Sequence, residues 1–151
     1  MPILVTTAMP TSFKVELLKG VHNFTASTGD TFKVALLKAA AAGSGTYGAA
    51  TTNYSQLGTD ELGNGSGYTT GGNTLVSVTP VADGTTAVCD FVDTTWSAAS
   101  FTTCGALIYN NTDAGAACAV LSFGDDWQVS SGDFQIQFPT AGSSTAIIRV
   151  F

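Results

Sequence analysis

Side chains able to do chemistry are few in this sequence, and their spacing is poor. His22 is the single histidine. As a general base it would need a nucleophile in reach and a third group to orient its ring, and its sequence neighbours supply neither. It follows a short helix expected from Thr11 or Ser12 to Gly20, where it can cap carbonyls or favour the helix dipole when protonated. The carboxylates come in small groups: Asp60-Glu61, Asp90 with Asp93, and Asp125-Asp126. A glycosidase needs two carboxylates facing across a cleft. Aspartates at turns have a simpler task, accepting hydrogen bonds from the turn backbone, and Asp83, Asp113, Asp125 and Asp126 all lie at expected turns. Calcium asks for a denser set of oxygen ligands than Asp125-Asp126 offers.

The three cysteines, Cys89, Cys104 and Cys118, form no Cys-x-x-Cys and are odd in number, so they do not read as a disulfide framework. Buried reduced thiols acting as small apolar groups are expected. One disulfide stays open as an alternative, because geometry and not spacing decides it. With one histidine and no paired cysteines, a Cys/His metal site is not expected. Gly63-Asn64-Gly65-Ser66-Gly67 lacks the lysine and the following helix of a phosphate loop, and it does not match the nucleophile elbow. Tyr47, Tyr54 and Tyr68 lie among glycines. They can stack on sugars or anchor a protein partner; local packing of the loop is the plainer use. No catalytic residue, cofactor or metal ligand is assigned, and the chain reads as no enzyme.

Composition points the same way. The 151 residues suit one domain with a real core. Hydrophobic residues are 44% and charged ones 11%, less than half the usual share of about 25%. So few charges predict a surface partly covered by neighbours. The apolar residues are interleaved with Thr, Ser and Gly, and no run approaches the ~18 needed to span a bilayer, so no membrane partner is expected. Net charge is −6, and the five basic residues are Lys14, Lys19, Lys33, Lys38 and Arg149. They form no stripe, which disfavours nucleic acid. Ile3, Leu4 and Val5 make a short apolar patch with no basic region before it, a poor signal peptide.

The elements that must position any site are mostly strands. Residues 1–10, with Pro2 and Pro10, read as an extended arm. In the helix that follows, Phe13, Leu17, Leu18 and Val21 make one apolar stripe. Thr31–Lys38 is a strand. Residues 39–73, rich in glycine, read as a long loop with short strands near Tyr54–Leu62 and Tyr68. A strand series then begins: Thr74–Thr79, a hairpin turn at Asp83-Gly84, Thr85–Asp93, Trp96 in a link, Phe101–Tyr109, a turn at 110–115, and Ala117–Phe123. Turns at 124–126 and 131–132 flank Trp127–Val129, before Asp133–Phe138 and a last strand ending at Phe151. Both faces of Thr85–Asp93 are apolar, which predicts a central strand. The spacing predicts a mainly β fold: a single antiparallel β-sandwich domain over 11–151, jelly-roll-like, with one short N-terminal helix and the Gly-rich loop region 39–73.

Several stretches together carry a family likeness. They are Pro10-Thr11-Ser12-Phe13-Lys14 with Glu16-Leu17-Leu18, and Gly29-Asp30-Thr31-Phe32-Lys33-Val34-Ala35-Leu36. Further along come Gly67-Tyr68-Thr69-Thr70-Gly71-Gly72, Cys104-Gly105-Ala106-Leu107-Ile108-Tyr109-Asn110 and Phe134-Gln135-Ile136-Gln137-Phe138-Pro139. Over nearly its full length the chain resembles small virion structural proteins of tailed bacteriophages. The resemblance implies a virion as destination, after assembly in the host cytoplasm, and brings no catalytic residues. The expected role is a capsid decoration or cement protein, a homo-oligomer bound to the major capsid protein. A tail, neck or tail-tip component is the alternative, and a host-glycan-binding module the second. Ile3, Leu4, Val5, Tyr47, Tyr54, Tyr68 and Phe151 are the candidate interface residues.

Overall fold

Branched and aromatic residues, which fit a pleated half-buried surface, fill the paired segments of a computed structural model that describes every residue from Met1 to Phe151. In chain order the elements are β1 (Leu4–Val5), α1 (Thr11–Leu18), β2 (Phe32–Leu36), β3 (Thr46–Tyr47), β4 (Asn73–Thr74), β5 (Ser77–Asp83), β6 (Thr86–Phe91), β7 (Thr94–Asn110), β8 (Ala116–Ile136) and β9 (Ile148–Val150). The protein is mainly β with antiparallel sheets. One sheet has four strands in the order β4-β2-β7-β8, and another has three in the order β5-β6-β9. β1 and β3 make a small parallel pair.

β2 is buried on both faces. Phe32, Val34 and Leu36 enter one apolar cluster with Ala106 and Ile108 of β7, Cys89 and Phe91 of β6, Ile148 of β9, and Phe13 of α1. Ala35 turns the other way and joins Leu107, Tyr109, Ile3, Tyr47 and Leu57. The four-stranded sheet thus carries a core on each side near its β7–β8 turn. Burying side chains the size of Phe32 or Ile108 contributes about 1.5–3 kcal/mol each, so the stability is concentrated at that end. β6 is the central strand of its sheet, as its two apolar faces predict. The Asp83-Gly84 signal holds too: Gly84 has φ +63° at the β5–β6 turn.

Several expectations change. Residues 1–10 do not reach outward as an arm. Ile3 is buried, Leu4 and Val5 pair with β3, and Ala8 bridges Val120, so this segment roofs the second core. In α1 Phe13 is buried, but Leu18 is 92% exposed; it lies one residue, or about 100°, off the Phe13–Leu17–Val21 line. Gly20 ends the helix at φ +70°, as expected. The expected strand at Tyr54–Leu62 is a kinked 3-10 helix over Tyr54–Asp60, started by an Asn53–Gln56 capping box. The single strand expected over Thr74–Thr79 splits, with β4 pairing to β2 and β5 to β6. Of the expected last strand only Ile148–Val150 pairs, and it pairs with β6 inside the domain.

The largest difference is the β7–β8 hairpin. Trp96 is inside β7 and buried, not in a link. The expected turns at 124–126 and 131–132 are bulges in one continuous β8. Thr103 pairs with Trp127 and Gly105 with Ser122, so residues 123–126 bow out opposite Cys104. Ala98 and Ser131 reach positive φ at a second irregularity. Gly, Asp and Ser permit the same backbone excursions in bulges as in turns, and only the pairing partner distinguishes the two.

Candidate docking surface

Asp60, Glu61, the tyrosines and His22 sit in two buried frameworks, whereas Asp93, Asp125 and Asp126 are exposed. In the first, adjacent carboxylates tie the Gly-rich segment to the sheet. Asp60 accepts from the Tyr47 hydroxyl at 2.9 Å and from the backbone N–H of Gly45 at 2.7 Å. Glu61 accepts from Tyr54 at 2.6 Å on Oε2, and from Tyr68 at 2.7 Å and Gly71 N–H at 2.6 Å on Oε1. The Tyr68 hydroxyl in turn accepts from Leu36 N–H of β2, and Tyr109 donates to the Gly71 carbonyl. Gly72 is held at φ +71°, and a Cβ there would run into the Val34 carbonyl of β2. The region is therefore pinned to the sheet, with Tyr47 and Leu57 in the second core and Tyr68 in the first.

Burial first, then the hydrogen bond to Asp60 or Glu61 and that carboxylate's charge, raises the Tyr47 and Tyr54 phenols well above their ordinary range. Tyr68 rises likewise, mainly through burial, and Tyr109 is pushed up to about 12 by burial and the Glu61 charge. Folded-state values raised above unfolded ones mean stability complete below the ordinary tyrosine range of about pH 10 and lost as pH climbs through it. The buried thiols are raised in the same sense, and an unfolded cysteine ionises near about pH 8.5. The thermal midpoint should therefore hold steady from neutral pH to about 8, decline between about 8 and 10, and fall steeply above about 10. Melts followed by circular dichroism across that range check it, and a Tyr54→Phe variant should fall less steeply.

The second framework surrounds His22, whose Nε2 lies 2.9 Å from Glu16 Oε2 and whose Nδ1 lies 3.0 Å from Asn110 Nδ2. Phe13 packs beside the ring at 4.9 Å between centroids. His22 is thus a buried strut between α1 and β7, away from the expected helix-cap role, with no serine or thiol bonded to it. The cysteines are free and buried. Burial pushes Cys89 up to about 12 and raises Cys104 and Cys118 as well. Ellman's reagent should titrate no thiol in the native protein and all of them in denaturant; rapid reaction of any one before unfolding would contradict this packing.

The accessible apolar surface lies elsewhere. Beyond the core, β7 and β8 continue as a half-exposed ribbon. On it an aromatic chain runs from Tyr68 and Trp96 through Phe101 and Phe134 to Phe123, with centroids 5.4 Å apart for Phe101–Phe134 and 6.0 Å for Phe123–Phe134. At its end stands Trp127, 59% exposed, its indole N–H donating to the Phe123 carbonyl. Phe123 and Trp127, with Phe134, Gln135, Ile136 and Gln137, line an open cleft of about 290 Å³. Val76, Val78, Val81, Val92 and Val150 are exposed on and around the three-stranded sheet.

Of the expected interface residues, Ile3, Tyr47 and Tyr68 are buried, so they present no surface to a partner. Their side chains complete the cores and hold Asp60 and Glu61. Tyr54 is partly covered and stacks on Tyr109 at 4.4 Å. Val5 packs against the second core, Leu4 is exposed, and Phe151 is 95% exposed. Leu4 and Val5 border a shallow cleft with Asp125 and Asp126, whereas Phe151 lies apart from them, beyond β9. The ribbon residues Phe123, Trp127 and Phe134 were not among those expected. A tryptophan within an otherwise polar stretch, Gly124–Gln128, was the available signal.

The chain matches no protein-family model, no curated protein and no solved structure with which it was compared.

Proposed function

We propose that this protein is a structural component of a bacteriophage virion, a capsid decoration or cement protein that binds the major capsid protein as a homo-oligomer and stabilises the head. The observation that carries this reading is the exposed apolar surface of the β7–β8 ribbon, with Trp127 at its end, and of the valines on the three-stranded sheet, on a body whose buried tyrosines and carboxylates are tied into its own framework. The virion destination rests on the family likeness of the sequence. The two larger antiparallel sheets share one apolar cluster, which supports a β-sandwich of jelly-roll-like type. Decoration stabilises a shell by bridging capsomers, and each contact gains about 25 cal/mol per Å² of apolar surface removed from water.

Quantitative mass spectrometry of purified virions, with gold-labelled antibody, tests the reading. Many copies spread over the head are expected; label confined to a single vertex or to the tail would sink it. The tail, neck or tail-tip alternative draws support from the open outer edge of β8, since rings form when sheets continue between subunits. Label on purified tails would favour it. The glycan-binding reading gains nothing from Tyr47 and Tyr68, whose phenols are turned inward.

A further inference from the structure

The geometry points to a second copy of this chain as the occupant of the ribbon, joined edge to edge through Trp127–Ile136 of β8 in an antiparallel, two-fold pair. β8 is the outermost strand of its sheet, and between Trp127 and Ile136 its outer edge meets no other strand. Open edges are normally guarded by proline, lysine, bulges or brevity. β5 has Pro80 and a register break, while β4 and β9 have only two and three residues. Trp127–Ile136 has no proline, no lysine and one charge, Asp133. Its bulge at Ser131 is the sole guard.

The segment is also close to a palindrome in character. Paired antiparallel about the Ser131–Gly132 step, Trp127 faces Ile136 of the second copy, Gln128 faces Gln135, Val129 faces Phe134, and Ser130 faces Asp133. Directly opposite residues share a face of the sheet. The bulge puts Val129 on the same face as Phe134, because Val129 pairs with Phe101 and the Phe101 and Phe134 rings are 5.4 Å apart. The apolar residues of both copies therefore form one row, with Trp127 of one copy against the Gln135–Gln137 end of the other's cleft. The polar face matches amide with amide and hydroxyl with carboxylate. No carboxylate faces a carboxylate, which matters for two copies of a chain with net charge −6. A two-fold pair closes on itself and leaves the rest of each copy free.

This pairing deepens the structural reading above and rests on it for purpose, but its test does not involve the virion. Sedimentation velocity of the purified chain at about 10–100 μM, a range suited to modest interfaces, should show a dimer. Gln128→Lys and Ser130→Lys place a guard on the exposed edge, and each should weaken association at least about tenfold while leaving unchanged the melting curve taken at dilutions where the parent is monomeric. For register, a Gln128→Cys chain mixed with a Gln135→Cys chain should form an interchain disulfide under mild oxidation, since opposite Cβ atoms lie about 5 Å apart. Either variant alone should not. A chain that stays monomeric, lysine variants that associate like the parent, or cross-linking of Gln128→Cys alone would each overturn the pairing. None of these results would alter where the chain sits on a virion or in what number.

Discussion

Glu61→Ala should destabilise the protein by about 3–5 kcal/mol, because two fully enclosed donors lose their only acceptor and an orphaned buried donor costs about 1–3 kcal/mol. Those donors are the Tyr68 hydroxyl and the Gly71 N–H, both on Oε1. The Tyr54 hydroxyl, on Oε2, is less enclosed and can turn to water. Glu61→Gln should cost only about 1 kcal/mol. With its oxygen in the Oε1 position it still accepts from Tyr68 and Gly71, and its amide meets the Tyr54 hydroxyl, which rotates to accept. Urea unfolding at neutral pH measures both. For a chain of this size 1 kcal/mol moves the thermal midpoint by about 2–4 °C, so alanine should lower it by about 6–20 °C and glutamine by about 2–4 °C. Equal effects would mean that the carboxylate is not the pin described here. Because Tyr68 also accepts from Leu36 N–H, the alanine variant should raise amide exchange in β2 as well as in residues 61–72.

What the sequence reveals and what it hides follow one physical line. β2, β6 and the β5–β6 turn were legible because local pattern decides them: alternation in Phe32–Leu36, two apolar faces in Thr86–Phe91, and Asp83-Gly84 between strands. The continuity of β8 was not. Gly124 and Ser131 permit a turn and a bulge equally, and the choice is made by β7, which lies opposite and is long enough to hold the strand straight. The tyrosines show the same limit. Tyr47, Tyr54 and Tyr68 among glycines look like exposed contacts. Asp60 and Glu61, which take their hydroxyls, lie near in sequence but read as solvated charges until the 3-10 helix turns them inward. Trp127 is exposed beside a bulge, whose outward bow the local sequence does not distinguish from a turn. The exposed aromatic surface therefore lies on the ribbon and not on the tyrosine-bearing loop.

The second large effect is expected at Asn110, at the end of β7 where the hairpin turns. Its side chain is fully buried, and every polar hydrogen and lone-pair direction it offers has a use. Oδ1 accepts from Thr112 N–H at 2.9 Å and Asp113 N–H at 3.1 Å, and Nδ2 donates to Asp30 Oδ2 at 2.8 Å. The second Nδ2 hydrogen points at His22 Nδ1, 3.0 Å away. Two backbone donors fix which end of the amide is oxygen, so His22 Nδ1 must accept and its proton must sit on Nε2, facing Glu16. One asparagine thereby sets the hairpin turn, the docking of Asp30 and the tautomer of the strut to α1. Asn110→Ala should cost about 4 kcal/mol, more than a typical core polar change, because several enclosed groups lose partners together. His22→Phe, which keeps the ring packing on Phe13 and frees one amide hydrogen and Glu16, should cost about 1–2 kcal/mol. Combining the two should cost less than their sum, since each removes the same Asn110–His22 bond. Urea unfolding of the three variants decides it. If Asn110→Ala stays within about 1 kcal/mol of the parent, the turn is held by its backbone bonds alone, and the network is a consequence of the fold, not a cause of it.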